Sequence, residues 1–209
     1  MTEQDSIKHW YAFKIFFSKG EPVKEYFASK GMEYFYEVKK AEKTRDGRKI
    51  MVEEPVIPSL IFLYATQTEA EKTETKFFNK IMLYKHFGAN ERRVPSPISD
   101  REMTVFKIVA ESGVEGLDFY DEFVDKFTKG DKVRVIDGVF KGAEGHIVRI
   151  KKNHRLCVCI TGLCAVATGY IPKAFFLTSS LRHPKILIKE FSYFLMPCHQ
   201  HGLRINLLV

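Results

Sequence analysis

Apolar and polar positions change rhythm several times along this 209-residue chain, and each change predicts an element. HWYAFKIFF is aromatic and largely apolar, which predicts a buried strand. SKGEP interrupts it, and PVKEYFASKG predicts a short helix. Pro22 suits a first helical turn, Val23, Tyr26 and Phe27 share one face, and Gly31 stands where a helix-ending glycine belongs. YFYEVKKAEKT and RKIMVEE flank Arg45-Asp46-Gly47-Arg48. Asp-Gly between two strand-like runs predicts a hairpin, because both residues tolerate positive φ. Pro55 and Pro58 mark the start of a strand, and SLIFLYA is nearly continuous apolar sequence, as a central strand requires. TQTEAEKTETKFFNK predicts a polar, helix-prone connection, and IMLYKHFG a strand closed by Gly88-Ala89-Asn90. Ser99 with Glu102 three residues later makes a capping box for a last helix, whose inner face carries Met103, Phe106 and Ala110.

Residues 8–112 therefore read β-α-β-β-β-α-β-α, an α+β domain with helices against a mostly antiparallel sheet. Residues 113–128 are acid-rich and without periodicity, which predicts a linker tacked down by Phe119, Tyr120 and Phe123. From residue 129 the pattern is all-β. In KGDKVRVIDGVFKGAEGHIVRI two alternating runs enclose Gly138, Gly142 and Gly145, and glycine permits the bulges and close backbone approach of a sharply bent sheet. With RLCVCITG and TGYIPKAFF the expectation is a small SH3-like β-barrel over residues 129–178, its mouth capped by Phe140. Residues 179–209 are too apolar for a disordered tail. Their ILIKEFSYFLM run reads as a strand or a short helix that docks on either domain, covers a binding face or mediates dimerisation.

Charge sharpens this division. Residues 126–209 carry 14 Lys and Arg against 4 Asp and Glu, whereas residues 1–125 carry 19 against 22. A basic C-terminal half points to an anionic partner such as nucleic acid or a ribonucleoprotein surface, or to a solvated face. No apolar run reaches the length of a bilayer span, and MTEQDSIKHWYAFK lacks the pattern of a secretory signal, so a cytoplasmic protein without a membrane partner is expected. Cys157, Cys159 and Cys164 lie in one strand-like run, and Cys198 lies near His199 and His201. Their spacing matches no standard zinc finger or ribbon, so free buried thiols are expected and no metal. No Walker-type loop, G-x-S-x-G or H-E-x-x-H is present, which predicts a non-enzymatic protein without a cofactor.

GDKVRVIDGVFKGAEGHIVRI resembles the KOW motif, and HWYAFKIFFSKGEP, VIPSLIFLYA and VPSPISDREM are similar, in order and spacing, to the NGN domain of NusG-type transcription factors. The resemblance covers roughly residues 8–178, and PVIPSLIFLY with ERRVPSPIS is most like the UpxY-type specialised paralogues. It implies a transcription elongation or antitermination factor acting on particular operons, nucleoid-associated during transcription. Other readings are a general housekeeping NusG and a ribosome- or RNA-binding KOW protein. The NGN domain of the family binds the clamp helices of RNA polymerase. Matching strands places Leu60 and Phe62 on that face, with Ile57, Tyr84 and Tyr11 as neighbours, while Ile61, Leu63 and Trp10 are left to packing. The loop facing the second large subunit falls near Glu71–Thr75, where this chain reads Glu-Lys-Thr-Glu-Thr in place of the His-Thr-Thr-Thr of a specialised branch. Lys39, Lys40, Lys43, Arg45, Arg48 and Lys49 surround the hairpin tip, suited either to phosphates of upstream or non-template DNA or to a solvated edge. For the KOW module the resemblance implies Rho or a ribosomal small-subunit protein as partner, across a surface of Phe140, Lys141, Arg149, Lys151, Lys152 and Arg155.

Overall fold

The computed structural model describes residues 6–16, 20–57, 59–89, 91–114, 116–120, 128–150, 153–171 and 175–178. In chain order the elements are β1 (His9–Ile15), α1 (Gly20–Ser29), β2 (Glu33–Phe35), β3 (Val38–Arg45), β4 (Arg48–Pro55), β5 (Leu60–Ala65), α2 (Gln67–Lys76) and β6 (Ile81–Leu83). There follow β7 (Lys85–Phe87), β8 (Arg93–Pro95), α3 (Asp100–Ala110), β9 (Asp118–Tyr120) and β10 (Asp131–Val135). The last four are β11 (Glu144–Ile150), β12 (Asn153–Ile160), β13 (Cys164–Tyr170) and β14 (Phe176–Thr178). The architecture is mixed α/β, and no described helix is long and apolar enough to cross a membrane.

The N-terminal sheet has the order β2-β5-β1-β6, antiparallel throughout. Tyr11 pairs with Leu63 and Ala12 with Phe62, and successive side chains alternate between faces. Tyr11, Phe13, Ile15, Ile61, Leu63 and Ala65 pack with Val23 and Phe27 of α1 and Ala70 of α2. Trp10, Ala12, Leu60 and Phe62 pack with Met103 and Phe106 of α3. Both later helices begin on capping boxes, Thr66 with Glu69 and Ser99 with Glu102, each satisfying backbone N–H groups that the first turn leaves without partners. The free edge at β6 is blunted by a side chain. The Leu83 N–H donates to Glu74 Oε1 at 2.9 Å, and Lys85 Nζ donates to the other carboxylate oxygen at 2.6 Å.

Two runs expected as single strands are each divided. YFYEVKKAEKT gives β2 in the core sheet and β3 outside it, and IMLYKHFG breaks at Tyr84 into β6 and β7. At Tyr84 the N–H donates to Ala12 O at 3.0 Å while the carbonyl accepts from Ser96 at 3.0 Å, so one residue serves two sheets. The strands β3 and β4 pair only with each other. Their turn has Asp46 and Gly47 at φ 51° and 73°, the left-handed geometry expected of a two-residue hairpin.

The C-terminal sheet has the order β14-β10-β11-β12-β13-β9. Two expectations are corrected here. The ladder is open, since β14 and β9 end it without pairing to each other, so a closed barrel is not seen among the described residues. And the stretch expected as a linker supplies β9, which pairs with β13, Phe119 opposite Val166. Between β10 and β11, Gly142 holds φ at +92°, and a Cβ on Gly145 would stand 2.3 Å from the Cys157 carbonyl oxygen. The glycines thus serve a turn and a close strand approach.

Candidate functional site

The helix α3 joins the two sheets. Its Met103, Phe106, Val109 and Ala110 are buried, and it lies on β12 and β13 as well as on β1. One apolar cluster runs from Leu60 and Phe62 through Phe106 to Leu156, Val158, Ile160 and Val166. Phe106 packs between Phe62, 5.9 Å away by ring centroids, and Phe119 at 6.4 Å. A polar clasp closes its rim. Glu102 Oε1 accepts from the Thr161 hydroxyl at 2.8 Å and from the Thr161 N–H at 3.2 Å, while Glu102 Oε2 accepts from Ser99 Oγ at 2.7 Å. Arg101 pairs with Glu144 across the same junction. Burial alone would raise the Glu102 pKa, but the hydrogen bonds from Ser99 and Thr161 outweigh it and hold the carboxyl below its ordinary value.

The expected polymerase-facing residues divide. Leu60, Phe62 and Ile57 come together in one cluster with Tyr84 packed against it. An exposed patch was expected, and these side chains are instead core: Phe62 is 0% and Leu60 2% accessible. The physical reason is that Phe35 and α3 pack over β5, with the C-terminal sheet behind α3. Tyr11 leaves the group, because its register opposite Leu63 turns it to the α1/α2 face. Trp10 is packing, with Tyr64 at 5.4 Å and Lys107 Nζ 3.9 Å above its ring. The Glu71–Thr75 stretch is helix rather than loop, with Thr73 buried and Glu74 committed to the β6 edge.

All six hairpin cations are exposed. Lys43 pairs with Glu54 and Lys49 with Glu42. The register sets Arg45 opposite Arg48 at the tip, and like charges directly across a ladder repel. No ion pair among the described residues compensates them.

On the C-terminal sheet, Phe140 is buried with 6% accessibility, which removes it from a partner surface and makes it core. Arg155 is also committed, to an ion pair with Asp118 of β9. Lys141 and Arg149 are exposed, while Lys151 and Lys152 lie outside the described residues. Cys157, Cys159 and Cys164 form no disulfide. Because Cys164 sits opposite Ile160 and Ala165 opposite Cys159, Cys164 faces away from the other two thiols, and the three do not converge on one metal. Cys198, His199 and His201 lie outside the described residues.

The junction at α3 was missed by sequence reasoning, although a signal existed. Val105, Ile108 and Val109 add apolar positions beside Met103 and Phe106, so the apolar face of the helix is wider than one sheet needs. Also unforeseen are Phe78, 75% accessible beside a groove of about 420 Å³ with Phe16 and Met82, and Phe87 under the Arg93 guanidinium at 5.5 Å.

No curated protein matches the chain. Residues 8–107, from the start of β1 to the third turn of α3, match the family model NusG, described as transcription termination factor nusG. The N-terminal half of the chain is therefore similar to a NusG domain.

Proposed function

We propose that this chain is an elongation or antitermination factor that rides on RNA polymerase and promotes processive transcription of particular operons. The observation that carries the reading is the NusG match over residues 8–107, on a sheet whose β5 gathers Ile57, Leu60 and Phe62 on one side with Tyr84 at the rim. That face meets the polymerase clamp helices, as an aromatic-aliphatic surface suits a helix pair. Because Leu60 and Phe62 lie under α3, which carries the C-terminal sheet, binding requires α3 and the sheet behind it to move off β5. The hairpin tip, with Arg45 facing Arg48, contacts phosphates of upstream or non-template DNA, which would relieve the repulsion between them. Strand order and the glycine turn support a KOW-type module in the C-terminal half, whose exposed Lys141 and Arg149 serve a ribosomal small-subunit protein or Rho.

Polymerase retention tests the reading. The full chain should be held by a clamp-helix fragment, at least tenfold less so when Tyr84→Ala and Ile57→Ala are combined in a chain shown to be folded. Occupancy across the genome should be confined to a few transcription units. Binding to ribosomal RNA with a steep salt dependence and no retention by polymerase would replace the proposal with an RNA-binding role.

A further inference from the structure

The strand β9 follows α3 in the chain and touches both that helix and the C-terminal sheet. Its three residues end the ladder against β13, with Asp118, Phe119 and Tyr120 opposite Ala167, Val166 and Ala165. Alternation sends Phe119 to the inner face, where its ring stands 6.4 Å from that of Phe106 on α3. Asp118 and Tyr120 turn to the outer face. There Tyr120 packs on Cys157, Ala165 and Ala167, and Asp118 pairs with Arg155. Arg155 belongs to β12, so this ion pair reaches across β13 and forms only while β9 is seated. We infer that β9 is a releasable strap: seated on the β13 edge it keeps the C-terminal sheet docked on α3, and its release lets the sheet leave. This goes beyond the transcriptional reading and does not depend on it.

Chain length gives the strap its effect. With β9 seated, α3 and the sheet are joined only by residues 111–117. With β9 released, the join grows to residues 111–130, up to the start of β10. The effective concentration of two tethered parts falls roughly as the −3/2 power of tether length, so release weakens docking about fivefold through length alone. Phe119 leaves Phe106 in the same step, which weakens docking further. A three-residue strand at the end of a ladder opens far more readily than the sheet behind it, so the strap can let go while β10 to β13 stay paired. The ion pair sets how readily. Its Arg155 side is 18% accessible and its Asp118 side 45%, so water competes for it on one side only.

Charge reversal tests this, because Asp118 and Arg155 lie on the face away from α3. Amide exchange at Thr161, whose N–H donates to Glu102 across the junction, reports undocking. Asp118→Arg and Arg155→Asp should each loosen the amides of β9 and speed exchange at Thr161 at least fivefold, with the amides of β11 and β12 as protected as before. The two reversals combined should restore both. Unchanged exchange at Thr161 while β9 opens overturns the inference. So does β9 staying closed in both single variants, or a combined variant no tighter than either. Should a single variant unfold, β11 and β12 would exchange as fast as Thr161. Ten Gly and Ser residues inserted after the exposed Gly116 then decide, since they lengthen the join without removing a contact. They should speed exchange at Thr161 about fourfold, and no change overturns the inference.

Discussion

On one side of β5, Ile61, Leu63 and Ala65 are sealed by α1 and α2 within the N-terminal domain. On the other, Leu60 and Phe62 meet α3, whose far side carries the C-terminal sheet. In sequence the two sets are interleaved and equally apolar. Their difference lies in what covers them. The first cover is local in the chain and belongs to the same fold unit. The second includes strands some hundred residues away, clasped at the rim by Glu102, Thr161, Arg101 and Glu144. A face closed by its own domain is structural, whereas a face closed partly by a neighbouring unit can be uncovered. That is why the same strand serves as core and, in the proposal, as binding surface.

Core truncation should break the comparison most strongly. Phe62→Ala should cost about 3–5 kcal/mol and loosen both sheets, because the ring links Phe35 with Phe106. Leu63→Ala should cost about 2–5 kcal/mol and leave the C-terminal sheet intact. Denaturant unfolding combined with hydrogen exchange resolves the two, and equal loss of protection in the C-terminal sheet would erase the distinction. Next in size, Gly145→Ala forces a Cβ to 2.3 Å from the Cys157 carbonyl oxygen and should cost about 1–3 kcal/mol, with deprotection confined to β11 and β12.

The clasp is a smaller effect and depends on pH. The Glu102 carboxyl titrates below its ordinary value when docked, so its contribution is fully present above the ordinary carboxylate pKa and is lost as pH falls through the docked value. Acid should therefore release the C-terminal sheet from α3 before either sheet unfolds, a step that Glu102→Gln should abolish. Amide exchange at Thr161 against pH reports it, and a flat profile in the unmodified chain would remove the clasp from the account. Smallest of all, Arg45→Ala with Arg48→Ala should change stability by no more than about 0.5 kcal/mol. The same pair should shallow the salt dependence of DNA binding by roughly two phosphate contacts.

Much of this was legible in the sequence. The continuous apolar run of SLIFLYA, the Asp46-Gly47 turn and the Ser99–Glu102 box each depend on neighbours within a few residues, and each appears where local chemistry places it. Long-range partnerships were not legible. Nothing near Phe119 marks it as lying opposite Val166, and nothing near Glu74 shows that its carboxylate caps a ladder nine residues on. Exposure of Leu60 and Phe62 was misjudged for the same reason, since a strand's pattern says which residues share a face and not what lies on it. Tyr11 shows the converse. Register alone, once known, moves it to the opposite face.

The central claim is that α3, held down by the C-terminal sheet docked on its far side, controls access to the β5 face. Its most direct test is the affinity of the full chain for a clamp-helix fragment, compared with a variant carrying Arg101→Glu and Thr161→Val. Weakening the clasp should tighten binding several-fold while the fold is retained. Equal affinity in the two chains, or weaker binding in the variant, would contradict it.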